Sequence, residues 1–292
     1  MEYELPRDKD GNMIVRIGHS PDPDDAFMFY AMTTNAFPTP GYKFVHELQD
    51  IETLNHRAVR KELEVSAVSI HAYPKIANDY ALMNCGASMG EGYGPMIVAK
   101  KGTTIEDAKR SPIAVPGLKT SAYMGIKLCW GDLNYEVVPF DEIIPRIMDG
   151  TYLSGLIIHE GQLTYSDYDL DVLVNLGIWW NEKTGGLPMP LGGNVVRRDL
   201  GKNVMEDITM YTKMSIEYSI ANPELALQFA KKWGRGIDDE TNREFVTMYV
   251  NDRTIDYRED GREAIRQFLL EGKSIGLIEN DFDVSSLQFI GA

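Results

Sequence analysis

The feature that most constrains this chain is an alternation. Short apolar or β-branched runs recur between helical stretches through the first two thirds, and helices alone finish the sequence. Residues 13–18, 42–48, 64–70, 96–102, 135–140, 155–158, 172–177 and 194–200 read as strands, and residues 111–117 as a short strand with a tight loop. Residues 26–31, 50–58, 121–127 and 141–148 read as the helices between them, with Asp50 placed to cap the second. Beyond residue 200 the helical stretches are 208–219, 223–233, 243–250 and 262–271; Asn222 precedes Pro223 as a cap before a proline at the first helical position. Strands alternating with helices give an α/β layered fold. The polar breaks near Lys100 and Val196 mark two chain crossings around a central insertion. Residues 1–100 plus 197–292 are expected to form one discontinuous lobe and residues 101–196 the other. A cleft between two such lobes is a favoured place for a small ligand.

The 292 residues suffice for one large or two medium domains. Forty-four acidic residues against 29 Lys and Arg leave a formal net charge of -15, which argues against nucleic acid or an anionic membrane as the main partner. A local site can still oppose that balance and take an anionic small molecule. The two cysteines, Cys85 and Cys129, make no disulfide framework and no zinc-type spacing, so reduced thiols and no metal are expected. No apolar run approaches the ~20 residues that span a bilayer. The first dozen residues are charged and lack the apolar core of a secretory signal, so a cytoplasmic protein is expected.

Four places carry candidate chemistry. Gly155-Leu156-Ile157-Ile158 runs directly into His159, which puts an imidazole at the carboxyl end of a buried strand. Ligand crevices of open α/β sheets lie just outside those ends, and a histidine there can hold or release a proton near neutral pH. The same residue could instead be a hydrogen-bonded corner. Ser20-Pro21-Asp22-Pro23-Asp24-Asp25 is a stiff polar loop before a helix that Asp24 or Asp25 could cap; its aspartates could also accept ligand hydroxyls or bind a cation. Ser69 and His71 close the third strand. Thr120 or Ser121 caps a helix after the Pro116-Gly117 loop, and its N–H groups could take a carboxylate. The glycines of residues 86–94 fit neither the phosphate-loop nor the dinucleotide pattern. The Trp179-Trp180 pair reads as packing.

Several segments, in this order, resemble the menaquinone-biosynthesis family of the futalosine pathway. They are Ser20-Pro21-Asp22-Pro23-Asp24-Asp25-Ala26-Phe27, Glu52-Thr53-Leu54-Asn55, Ala114-Val115-Pro116-Gly117, Thr120-Ser121-Ala122-Tyr123 and Gly155-Leu156-Ile157-Ile158-His159-Glu160. Pro190-Leu191-Gly192-Gly193 and Arg197-Arg198-Asp199-Leu200-Gly201 complete the set. The resemblance implies a two-lobed fold like the type II periplasmic binding proteins, with the ligand cleft between lobes. It also implies a lyase that converts cyclic dehypoxanthine futalosine to 1,4-dihydroxy-6-naphthoate without metal or organic cofactor. In that family the histidine matching His159 serves as general base, and residues matching Ser69, Thr120 and Ser121 line the acid-binding end of the pocket. The candidate substrate contacts are therefore Ser20, Asp24, Ser69, Thr120, Ser121 and Gly193, with His159 catalytic and a small anionic aromatic acid as the partner. Glu160 would point away from His159 if the strand persisted, so it is not assigned as the imidazole's partner.

The chain departs from the family pattern at Asp22, Asp24 and Ala26, at Glu91 between two glycines, and at His71 after Ser69. These changes keep two rivals open: a sibling lyase or dehydratase on another aromatic-acid precursor such as chorismate, and a non-catalytic solute-binding protein for small acids.

Overall fold

The computed structural model describes residues 3–233 and 238–291. In chain order its strands are β1 (Met13–His19), β2 (Tyr42–Leu48), β3 (Val65–Ser69), β4 (Tyr80–Met83), β5 (Ser88–Gly90), β6 (Met96–Lys100), β7 (Ile113–Val115), β8 (Tyr135–Val137), β9 (Ser154–Ile157), β10 (Leu170–Asn175), β11 (Met189–Arg197) and β12 (Phe289–Ile290). The helices are α1 (Pro23–Thr33), α2 (Ile51–Val59), α3 (Ile105–Arg110), α4 (Ser121–Trp130), α5 (Ile143–Met148), α6 (Gly161–Thr164), α7 (Leu176–Thr184), α8 (Lys202–Ala221), α9 (Pro223–Ala230), α10 (Asp239–Tyr249), α11 (Asp252–Ile255) and α12 (Arg258–Ser274). Among the described residues no helix is long and apolar enough to cross a membrane.

The chain divides into two compact units, one of Met1–Ser88, Gly192–Arg258 and Ser285–Ala292, the other of Met89–Leu191 and Glu259–Val284. Both are discontinuous, and the boundaries differ from those expected of the sequence. Strand β6 had been expected in the first lobe, but it pairs antiparallel with β9 and β10 and so belongs to the second sheet. Helix α12 had been expected with the other C-terminal helices. Its Phe268 instead meets Trp180 edge to face at 5.2 Å, and its Glu271 pairs with Lys183 at 3.1 Å. A Cβ on Gly272 would stand 2.4 Å from the Met124 sulfur, so the backbone of α12 lies close against α4.

In the first unit the sheet runs β12-β4-β11-β3-β1-β2. The β2, β1 and β3 strands are parallel, as the intervening helices require, and β11 returns antiparallel to β3 and β4. Val15, Ile17 and Val65 from this sheet pack with Phe27, Phe29 and Met32 of α1 and with Ile208 and Tyr211 of α8. Asp50 caps α2 through Thr53 N–H at 2.9 Å, as expected of the sequence. Asn222 does not cap α9 with its side chain; that amide donates back to the Tyr218 carbonyl and closes α8 instead.

In the second unit the sheet runs β10-β6-β9-β7-β8. Its strands β7, β8 and β9 are parallel, while β6 and β10 run antiparallel to their neighbours. Val98, Ala114, Ile157 and Leu170 pack here against Ile143, Ile144 and Ile147 of α5. Trp180 is fully buried and donates its indole N–H to the Pro188 carbonyl, which confirms its packing role. Cys85 and Cys129, one in each unit, are free thiols.

Candidate active site

His159 lies two residues past the end of β9, in the turn that leads into α6. Its surroundings fix the tautomer. Nε2 is 3.2 Å from the Phe140 carbonyl, which can only accept, so Nε2 carries the proton. Nδ1 is 3.0 Å from the Gly161 N–H, which can only donate, so Nδ1 presents its lone pair. The result is a neutral imidazole held from both sides, with 11 % of its side chain exposed. The Phe140 ring packs edge-on against it at 5.4 Å.

Glu160 turns toward His159 at this corner. The expectation that it points away assumed continued strand, but β9 ends at Ile157 and Glu160 adopts helical φ and ψ of -55° and -16°. The turn brings its carboxylate to 3.8 Å from Nδ1 of His159, in a buried setting. A proton taken up at Nδ1 would therefore form beside a carboxylate.

Thr120 and Ser121 leave the same sheet edge. Strands β7 and β9 are parallel, with Ile113 opposite Ser154 and Ala114 opposite Gly155. Their carboxyl ends thus open on one side, and the loop into α4 departs beside the His159 corner. Thr120 is the N-cap: its hydroxyl accepts from Tyr123 N–H at 3.1 Å and donates to the Gly117 carbonyl at 2.8 Å. Ser121 donates its hydroxyl to the Leu191 carbonyl at 2.5 Å. Both hydroxyls shape the loop, and the N-terminus of α4 is the element they present.

The other candidates lie in the first unit, again at carboxyl ends. Strands β1 and β3 are parallel, so Ser20 and Ser69 leave the same edge, and β11 sets Gly192 opposite Ser69 and Gly193 opposite Val68. Ser69 is gripped by the fully buried amide of Asn55. Its N–H donates to Asn55 Oδ1 at 2.8 Å, and its hydroxyl accepts from Asn55 Nδ2 at 3.0 Å. That grip orients the Ser69 hydroxyl, and Asn55 had not been singled out by its chemistry. A buried amide in a short amphipathic helix is the signal that could have found it. Gly193 is a packing position: a Cβ there would lie 2.8 Å from the Tyr257 hydroxyl.

Ser20 donates its hydroxyl to Asp22 at 2.8 Å and its N–H to the Asp25 carboxylate at 2.7 Å. Neither Asp24 nor Asp25 caps α1, contrary to the expectation. Pro23 takes the first helical position, Asp22 becomes the N-cap without a side-chain bond, and both later acids fall in the first turn. Burial pushes the Asp25 carboxyl up to about 7, against the opposing pull of the Ser20 bonds. Burial and the neighbouring Asp25 and Asp22 push Asp24 well above the usual carboxylate range. Asp24 meets the Ser88 hydroxyl only at the long distance of 3.5 Å. Among the described residues no group of three or more His, Cys, Asp or Glu is arranged to hold a metal ion. Glu91 is exposed, and His71 lies partly buried in the short 3₁₀ turn after β3.

A family model described as "Menaquinone biosynthesis" matches residues 15–273. The 1,4-dihydroxy-6-naphthoate synthase of Thermus thermophilus is 35% identical over 90% of this chain and 95% of its own. The synthase of Streptomyces coelicolor is 32% identical over 90% and 94%. A crystal structure of a protein from Archaeoglobus fulgidus superposes with a TM-score of 0.87 at 42% identity, covering 91% of this chain and 98% of that one. The periplasmic aliphatic sulphonate binding protein of Escherichia coli superposes at 0.67 with 9% identity over 94% and 97%, and that likeness shows the periplasmic-binding-protein fold. The chain is a member of the menaquinone-biosynthesis family.

Proposed function

We propose that the protein is a 1,4-dihydroxy-6-naphthoate synthase, a carbon–carbon lyase that acts on cyclic dehypoxanthine futalosine in the cytoplasm. The family and its curated relatives support the reaction class. The observation that carries the catalytic reading is the His159 imidazole, neutral and anchored through Nε2, with its lone pair on Nδ1.

In this reading Nδ1 is the base. It exchanges the Gly161 N–H for a substrate C–H or O–H, while the Phe140 carbonyl keeps the ring from rotating. The imidazolium that results is stabilised by the Glu160 carboxylate beside it. The aromatic carboxylate of the substrate is held at the N-terminus of α4, where the helix dipole favours negative charge. The Thr120 cap keeps that terminus open toward the ligand. Ser69, oriented by Asn55, and Ser20 are the candidate substrate contacts at the strand ends of the first unit.

The test is incubation of purified protein with cyclic dehypoxanthine futalosine, read as naphthoate formation. The wild type is expected to turn over, and His159→Asn to bind the substrate but lose at least about 10²-fold in kcat, the scale of a general base. Full turnover by His159→Asn would remove the proposed role. Absence of product where an established synthase is active would remove the reaction.

A further inference from the structure

Two histidines that the reading above does not use form a buried pair beneath the Ser20 loop. His19 is the last residue of β1 and His46 lies on β2; the parallel register of the two strands brings them together. His19 Nε2 and His46 Nδ1 are 3.2 Å apart, and His19 Nδ1 is 3.1 Å from the Ser20 carbonyl. The His19 ring stacks on Phe29 at 4.7 Å and an interplanar angle of 21°. His46 meets both rings edge-on, at 5.3 Å from His19 and 5.7 Å from Phe29.

The hydrogen bonds dictate where the protons are. A carbonyl can only accept, so His19 Nδ1 must carry its proton. His19 is then left with a lone pair on Nε2, and the 3.2 Å contact requires His46 Nδ1 to carry a proton as well. Both rings are therefore Nδ1–H tautomers, which leaves His46 Nε2 as a buried nitrogen without a proton or a partner. Burial keeps both rings neutral, holding His19 down at about 4 and His46 at about 3. The charged group that faces the pair is Asp22, which opposes the shift of His19; the nearest basic neighbour of each ring is the other.

We propose that His46 and His19 are positioning residues that set the shape of the Ser20 loop. The Ser20 carbonyl sets the tautomer of His19, His46 Nδ1–H reinforces it by donating to His19 Nε2, and His19 pins the Ser20 carbonyl. Pinning that carbonyl helps fix Ser20, whose N–H runs to Asp25 and whose hydroxyl runs to Asp22. The relay therefore decides where the Ser20 hydroxyl and the start of α1 present themselves to substrate. Phe29 sets the plane of the His19 ring, the Ser20 carbonyl and His46 together hold its Nδ1–H tautomer, and His19 holds the loop. The inference rests on Ser20 being a substrate contact, as proposed above, but its tautomer component does not.

The experiment has two independent readouts. First, ¹⁵N-imidazole NMR of the full-length protein at neutral pH should show His19 and His46 both protonated at Nδ1. An Nε2–H signal for His19 overturns the proposal whether or not the protein is a synthase. Second, steady-state kinetics on cyclic dehypoxanthine futalosine should show His19→Phe, which keeps the stacked ring but removes the bond, raising KM about fivefold, the scale of one hydrogen bond. Its kcat should stay within about twofold, since His159 is untouched. His19→Asn restores an N–H near the Nδ1 position and should recover most of the loss. His46→Leu leaves the Ser20 bond in place and should give an intermediate KM. A lowered melting temperature with unchanged KM in all three variants assigns the pair to stability alone and overturns the positioning role. A wild type with no synthase activity but both Nδ1–H signals would sink the reaction while leaving the tautomers intact.

Discussion

Replacing Glu160 by Gln isolates the electrostatic part of the His159 corner. The substitution keeps the shape of the side chain and removes its charge. With Oε2 at 3.8 Å from Nδ1, a full imidazolium–carboxylate interaction is worth about 4 kcal/mol at an effective dielectric of about 20. Both side chains are largely enclosed, at 11% and 5% exposure, so solvent screens the pair only in part. The glutamine amide dipole and local relaxation recover some of that energy, leaving a net loss of about 1–3 kcal/mol in the transition state. That corresponds to a fall of about 5- to 150-fold in kcat. Substrate binding precedes proton transfer, when the ring is neutral, so KM should change by less than about twofold. Steady-state kinetics with cyclic dehypoxanthine futalosine, alongside His159→Asn as the reference for complete loss of the base, gives the answer. A kcat within twofold of wild type, or a loss confined to KM, would refute the claim that charge develops at Nδ1 beside this carboxylate.

Two further outcomes follow from the first unit. The Asp25 carboxyl is raised in the folded state to about 7 from an ordinary 3.8, so its contribution to stability is present below the unfolded value and is lost as pH rises toward 7. Asp25→Asn should therefore gain on the wild type by about 3 kcal/mol between pH 5 and pH 8; urea unfolding at both pH values checks it, and a constant difference contradicts the sign. Gly193→Ala drives a methyl toward the Tyr257 hydroxyl at 2.8 Å and should cost about 1–3 kcal/mol. Tyr257→Phe in the same chain should recover part of that cost, and strict additivity in thermal unfolding would show that the hydroxyl is not the obstacle.

The sequence carried the layered α/β class and the positions of most strands, because β-branched runs and helix caps are local signals. It also brought the candidates to strand carboxyl ends, where the structure puts His159, Ser69 and Ser20. What it could not carry depends on contacts distant along the chain. The amphipathic pattern of α12 says that one face is buried, not that Trp180 covers it. Strand β4 is buried at all four residues and shows no alternation to read. The Asn55 grip on Ser69 joins a helix to a strand and the His19–His46 contact joins two strands, and only packing and register make them neighbours. Glu160 was misdirected by a local assumption: three more residues of strand would have put it on the face opposite His159.

The threading of the chain through the two units also orders their completion. The sheet of the first unit receives its last member, β12, beside β4, whose own residues are translated far earlier. The second unit likewise waits for α12 to cover Trp180. During translation β4 therefore emerges with both flanks bare, gains β11 first and β12 last, and no uninterrupted stretch of chain makes up either body alone. A scissile site at any single junction would leave each body still tethered through the others, so a nicked protein should hold together until it is denatured.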